Sequence, residues 1–306
     1  MNDSSIACDP AKCLRAPWIR KRTFKIRKGR YQIQVYDQPG RWMTDEELAH
    51  LSTLVTGIAR QSMDEVPTYG VFTGDREPFT NRVIGVMRER RTADPVAFTA
   101  MVYLPIELDG EVVPVIHLGL TMIKRTHRGQ RLQSRLFEKM FFLPALNQLR
   151  VRWILTNIAA SPAGIGSVSD YFDDAYPTYR GDHRCRKYHL RVAGKLLALY
   201  RHEFGCSDQA VFDPRTFVVA GSNDPDTGGA YQFIRVDPVS RYKHEACNRF
   251  CASRLRFDEG DELFQVARFN LLKGVVEILA RIGTRRRDAA AAERRRAPAR
   301  HSHAIR

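Results

Sequence analysis

The sequence predicts an α/β chain of the α+β kind, with strands and amphipathic helices interleaved in one large domain and a helical extension towards the C-terminus. Three observations predict it. Short runs rich in Val, Ile, Phe and Tyr recur along the chain as strand candidates. Stretches of helical periodicity separate them, one with a clear start signal. Of the 306 residues, 43% are hydrophobic, enough for a sizeable core. No apolar run of about 18 residues occurs, so no transmembrane segment is expected. The opening MNDSSIACDPAKC has no basic region followed by a long apolar stretch, so no secretory signal is expected. A cytoplasmic location is therefore expected, with Cys8, Cys13, Cys185, Cys206, Cys247 and Cys251 as reduced thiols.

Residues 1–30 read as a basic, irregular leader, and 31–37 (YQIQVYD) as a strand. Thr44 followed by Glu47 forms a capping box, and Leu48, Leu51, Leu54, Val55 and Ile58 then recur at helical spacing. The loop 67–80 leads to 83–87, ambiguous between strand and helix. Residues 96–104 and 112–123 read as strands joined by the hairpin signal Asp109-Gly110. Residues 128–148 read as one helix and 153–160 as the next strand. Further on, 186–203 is a helix ending at Gly205, 216–220 and 231–236 are strands, and 240–255 and 261–282 are helices. The stripe Leu271, Val275, Ile278 and Ile282 can dock on the main body, form a dimer seam or face a membrane. The boundaries expected are a leader over 1–30, a main domain over 31–237, a helical extension over 238–283 and a disordered Arg/Ala-rich tail over 284–306. Oligomeric state is not legible.

The formal charge of +15 is concentrated at two places. Residues 285–306 hold eight Arg against Asp288 and Glu293, and 20–30 (RKRTFKIRKGR) hold seven basic residues. Such runs are either solvated sequence or surfaces for nucleic acid, an acidic carrier or a membrane. Cys247, Cys251 and His244 share a helical face, but no second close pair completes four ligands, so no metal is expected.

The run LTMIKRTHRGQRLQSRLFEKM carries the chemistry. A strand, a basic turn and an amphipathic helix make an anion site: the free N–H groups and dipole of the helix start favour negative charge. Gly129 lets backbone approach a phosphate, and Arg128 and Arg131 add charge-assisted donors. There is no GKS or GKT, so it is not a P-loop, and no GxGxxG, so it is not a dinucleotide fingerprint. No GxSxG elbow is present either.

Arg128-Gly129-Gln130-Arg131-Leu132-Gln133 resembles the acyl-CoA-binding turn of the GNAT-type N-acetyltransferase superfamily, Arg/Gln-x-x-Gly-x-Gly/Ala, which follows a strand and opens a helix. Arg131 and Gln133 stand where that motif has glycines. The order of elements over 31–237 is also similar to that of the superfamily. The resemblance implies a mixed, mostly antiparallel central sheet flanked by helices. It implies acetyl-CoA or a longer acyl-CoA as co-substrate, with no metal, and an amine acceptor left open among a small amine, an amino acid, a protein amine and a natural-product intermediate. Residue by residue, it implies a cofactor-binding set of Gly129, Gln130, Arg131, Leu132, Gln133 and Ser134 with Arg128. The strand edge Thr121, Met122 and Ile123 would bind the pantetheine amides. Asn157 lines the neighbouring gap or caps a turn. The position eleven residues before Arg128, a Glu base in some members, is His117, which is a base here or a core histidine. Glu107 and Glu111 compete with it, directly or through water. His117, Gly119, Thr121 and Ile123 are expected on one strand face. Tyr171, in the stretch YFDDAY, matches the family's acid tyrosine or is a packed aromatic. The alternative is a catalytically degenerate binding protein of the same fold, held to nucleic acid or an acidic partner by its basic termini.

Overall fold

The computed structural model describes residues 13–26, 29–63, 66–223 and 241–271. The chain divides into two units, Met1–Phe269 and Asn270–Arg306. The elements below belong to the first, with its last strand ending at the border.

Among the described residues, eleven strands form one mixed, mostly antiparallel sheet flanked by helices. It begins as an antiparallel run of β1 (Lys21–Ile26), β2 (Tyr31–Asp37), β3 (Arg82–Glu89), β4 (Pro95–Leu108) and β5 (Glu111–His117). The β4–β5 hairpin closes through Asp109 and Gly110, both at positive φ (56° and 81°), the geometry a two-residue primed turn requires. Short β6 (Thr121–Ile123) also pairs with β4, while β5 pairs in parallel with β7 (Arg152–Ala159). Beyond β7 lie β11 (Glu262–Asn270), β10 (Val218–Ala220) and β9 (Val211–Asp213), and β8 (Asp173–Tyr176) also pairs with β11.

Alternation along the strands feeds a core on each face. On one face, Val83, Met87, Ala97 and Met101 pack with α2 (Leu132–Met140) and α3 (Phe142–Asn147). On the other, Ile84, Val86, Phe98 and Ala100 pack under α1 (Asp45–Arg60), and Val102 and Leu104 under α5 (Lys187–Tyr200). α1 starts where the sequence predicts: Thr44 Oγ1 accepts from Glu47 N–H at 3.3 Å and Glu47 Oε2 from Thr44 N–H at 2.9 Å. A cap of this kind contributes about 1 kcal/mol. α4 (Pro162–Tyr171) and α6 (Glu245–Ala252) pack together around Ile165, Cys247 and Cys251.

Several sequence expectations are corrected. The leader is not irregular throughout, since β1 pairs with β2 from Lys21↔Tyr36 to Ile26↔Tyr31. Its Lys and Arg residues are those of a charged edge strand, which blocks further pairing. The ambiguous stretch 83–87 is strand. The single helix expected over 128–148 starts only at Leu132 and divides at Phe141. Pro144 would clash with the carbonyl of residue 140 in a continuous helix, and is tolerated in the first turn of a new one. The helix expected over 261–282 is instead strand from Glu262 to Asn270, β11, which is buried in the sheet from Glu262 to Ala267. Apolar residues filling both faces remove the alternation that marks a strand. The expected strand at 231–236, the rest of the terminal stripe and the Arg-rich tail lie outside the described residues.

Candidate active site

Residues 112–123 do not form one strand. β5 pairs with β7 only from Val115↔Ile154 to His117↔Thr156, and Leu118 N–H donates to Thr156 O at 2.8 Å. Against β4, Val102 faces His117 but Thr99 faces Thr121, so one extra residue is inserted between them. That is a β-bulge, and it reverses which face the following side chains meet. Gly119 (φ +41°) makes it possible, because a Cβ there would overlap the Ala100 carbonyl oxygen. The expectation of one shared face is therefore corrected. His117 lies on the α5 face with Phe204, whereas Ile123 packs on the α2 side.

Past the bulge, β6 follows β4 and leaves β7. Ala100 N–H donates to Leu120 O and Lys124 N–H to Val96 O, both at 2.9 Å. By antiparallel alternation, the main-chain groups of Leu120, Met122 and Lys124 face β4, and those of Thr121 and Ile123 point to the edge β7 has vacated. The Met122 side chain goes into the core under α1.

The basic turn lies directly after this edge. Arg125–His127 is a single 3-10 turn, Gly129 has φ +74°, and Arg131 is the N-cap of α2 at φ 56°, ψ 35°. Arg131 thus holds a left-handed conformation, at a cost of about 1–2 kcal/mol for a residue with a Cβ. Among the described residues no side chain caps α2; Ser134 Oγ turns back to Arg131 O at 3.0 Å, and the first-turn N–H groups of Leu132, Gln133 and Ser134 lack intrahelical acceptors. Buried Leu132 anchors the turn, and Gln130 Oε1 accepts from Tyr31 OH at 3.0 Å. Arg128 Nη2 donates to Ser62 O just beyond the end of α1, so this guanidinium fixes the turn to α1. Residues 124–139 hold six Lys or Arg and a single Glu, a strongly positive setting.

On the other face, the bulge borders a cavity of ≈ 50 Å³ lined by Arg82, His117, Gly119, Leu120, Glu203 and Glu262, among others. That is room for a few waters or a small polar head. His117 is 2% exposed; its Nδ1 lies 3.1 Å from Thr156 Oγ1 and its ring 4.5 Å from that of Phe204. Burial, helped by the Arg82 charge, lowers its pKa to about 3, so the imidazole is neutral at pH 7. Arg82 forms an ion pair with Glu203. Glu262 accepts from Ser222 Oγ at 2.7 Å, and burial raises its pKa to about 7. A carboxylate with that pKa can take a proton near neutrality and return it.

The expected site residues therefore divide. Arg128, Gly129, Gln130, Arg131, Leu132, Gln133 and Ser134 come together with the Thr121–Ile123 edge, and His117 reaches the cavity. Glu107 and Glu111 do not: both are exposed at the hairpin end of β4 and β5. Glu107 is five residues along β4 from Val102, the partner of His117, or roughly 17 Å. Asn157 Nδ2 donates to Gln265 Oε1 of β11 at 3.2 Å. Tyr171, at the end of α4, is 51% exposed beneath Lys243 Nζ, 5.8 Å from its ring centre. His244 Nε2 lies 3.5 Å from Asp170 Oδ2, while Cys247 Sγ donates to Pro162 O at 3.5 Å. Arg82, Glu203 and Glu262 were not foreseen. The signal for Glu262 was a carboxylate leading the apolar run ELFQVARF.

No protein-family model matches the chain, and no curated protein matches it. Solved structures do. Ribosomal-protein-S5-alanine acetyltransferase from Vibrio fischeri aligns at 9% identity over 45% of this chain and 74% of its own, with a TM-score of 0.29. Glucosamine-6-phosphate N-acetyltransferase from Arabidopsis thaliana aligns at 15% identity over 38% and 76%, TM-score 0.23. Saccharomyces cerevisiae N-myristoyltransferase with bound myristoyl-CoA aligns at 18% over 25% and 16%, TM-score 0.21. At these values the likeness concerns the fold, and the chemistry must be read from this chain's own geometry.

Proposed function

We propose that the protein transfers an acyl group from an acyl-CoA to an amine by direct attack, with no covalent enzyme intermediate. The observation that carries this reading is the parting of β5 from β7 at the Gly119 bulge, which opens a strand edge beside an uncapped, basic helix start. The N–H groups at the head of α2 suit a diphosphate, with Arg131 as a charged donor. The outward main-chain groups of Thr121 and Ile123 suit the amides of a pantetheine arm. The reacting carbonyl then lies at the bulge, with the acceptor amine in the cavity beyond it.

In that cavity Glu262 takes a proton from the ammonium form of the acceptor. The freed amine attacks the thioester carbonyl, the C–N bond forms and the C–S bond breaks. The proton lost by the new amide nitrogen goes to the departing thiolate, through solvent water or through Tyr171, which is half-exposed at the end of α4. His117, neutral and held by Thr156, supports the cavity wall and is too weak a base for the task. Holding both substrates across the bulge supplies proximity.

Calorimetric titration with acetyl-CoA and longer acyl-CoAs tests the reading. Wild type binds; Arg131→Glu weakens binding by at least about tenfold; Arg131→Gly, which restores the superfamily's residue, loses only the guanidinium's share, weakens binding less than Arg131→Glu and raises the melting temperature. A folded wild type that binds no acyl-CoA overturns the proposal. Where binding is found, release of free thiol with a panel of amines identifies the acceptor.

A further inference from the structure

Residues 13–26 take no part in the acyl-transfer reading, yet they are firmly placed. Gln148 accepts from Arg15 N–H and donates to Arg15 O, each at 3.0 Å, and Asn147 does the same for Ile19 at 3.0 Å. Between these clamps Trp18 donates its indole N–H to Leu146 O at 3.3 Å and leaves the residue 67% exposed. Phe142, Leu149 and Val151, on the segment it docks against, are 37%, 69% and 39% exposed. Half of the eight exposed large hydrophobics among the described residues thus fall on these two joined segments. Phe142 and Leu146 are one helical turn apart on α3. Phe24 meets Phe142 edge-on at 5.6 Å with Lys139 Nζ 5.9 Å from its ring centre. The two segments that build the face, 14–26 and 139–153, contain eight Lys or Arg and no Asp or Glu.

Leu149 is the telling residue. α3 ends in a Schellman motif: Leu149 N–H donates to Leu146 O at 3.2 Å and Arg150 N–H to Ala145 O at 3.1 Å, with Leu149 at φ 50°. Glycine is the favoured residue at that position, because a Cβ is strained there. A leucine that is both strained and exposed contributes little to the fold through that side chain, which stands open to a partner.

We propose that this face, with Trp18, Phe142, Leu149 and Val151 at its centre and cations around them, docks on an anionic lipid bilayer. A tryptophan and aliphatic side chains suit the boundary between headgroups and acyl chains, and the cations suit anionic headgroups. A single-stranded nucleic acid would use the aromatic rings and the cations, but not the aliphatic Leu149 and Val151.

The test is co-sedimentation of the full chain with vesicles of phosphatidylcholine alone or mixed with phosphatidylserine, at low and high salt, with duplex and single-stranded DNA as soluble competitors. The expected result is binding that requires phosphatidylserine, weakens with salt and resists DNA. Leu149→Gly should lower the partition coefficient about tenfold, the loss of one large apolar side chain from the contact, while its melting temperature holds or rises. Vesicles should blue-shift the wild-type tryptophan emission, and Trp18→Phe should abolish that shift. Failure to bind anionic vesicles, unchanged binding by Leu149→Gly, or displacement by DNA would each overturn the proposal, the last by assigning the face to nucleic acid.

Discussion

Replacing Glu262 by Gln separates the cost of this carboxylate from its use. Glu262 is buried, accepts from Ser222 Oγ, and has its pKa raised by burial from 4.5 to about 7. Below about pH 4.5 the group is protonated in both folded and unfolded chains, and a Gln of the same shape should be nearly neutral. As pH rises through about 7, the unfolded chain has released its proton and the folded chain gives one up only at a cost. Wild type therefore loses stability over this interval, and the Gln variant does not. The rise from 4.5 to about 7 is equivalent to an upper limit of about 3 kcal/mol. Urea denaturation of both proteins at about pH 5 and about pH 8 should show Glu262→Gln gaining roughly 2–3 kcal/mol relative to wild type between the two conditions. If the variant tracks wild type across that interval, or falls behind it, the buried carboxylate is not the group described. At neutral pH the same variant should bind acyl-CoA as wild type does and lose turnover by at least about a hundredfold, the contribution of a positioned base.

Gly119→Ala should be severely damaging, costing at least about 3 kcal/mol, because the new methyl group overlaps the Ala100 carbonyl oxygen in a backbone that already disfavours a side chain; a melting temperature equal to wild type would count against the bulge. Arg82→Met should cost about 3 kcal/mol by stranding Glu203, and the double variant with Glu203→Gln should recover most of it. Chemical denaturation of the two singles and the double measures that coupling, and strictly additive losses would refute it.

What the sequence made legible follows from where its signals are local. The α1 capping box, the Asp109-Gly110 hairpin and the Arg128–Ser134 turn are each written within a few neighbouring residues. The bulge is not: its evidence is a register difference between β4 and two successive strands, visible only once pairing is known, although Gly119 stood in the right place. β11 was misread because, with both faces covered, its side chains are apolar in succession and lose the period of two. Glu262 was lost with it, since a carboxylate expected on a helix attracts no attention. Tyr171 rests on a short pattern, which marks a position along the chain; its place at the end of α4 follows from the fold.

The position of β11 has a consequence for assembly. It is the last strand in the described sequence, yet it lies between β7 and β10 and is hydrogen-bonded to both. During synthesis, everything up to β10 leaves the ribosome before the neighbour that joins these two strands exists. Until then β7 presents an open edge, the kind of surface that pairs with foreign strands. Contacts between strands so far apart in sequence also form slowly. Because β11 carries Glu262, a nascent or truncated chain that stops before it has the whole Arg128–Ser134 turn in its sequence but lacks the carboxylate to which the proposed reaction assigns the proton.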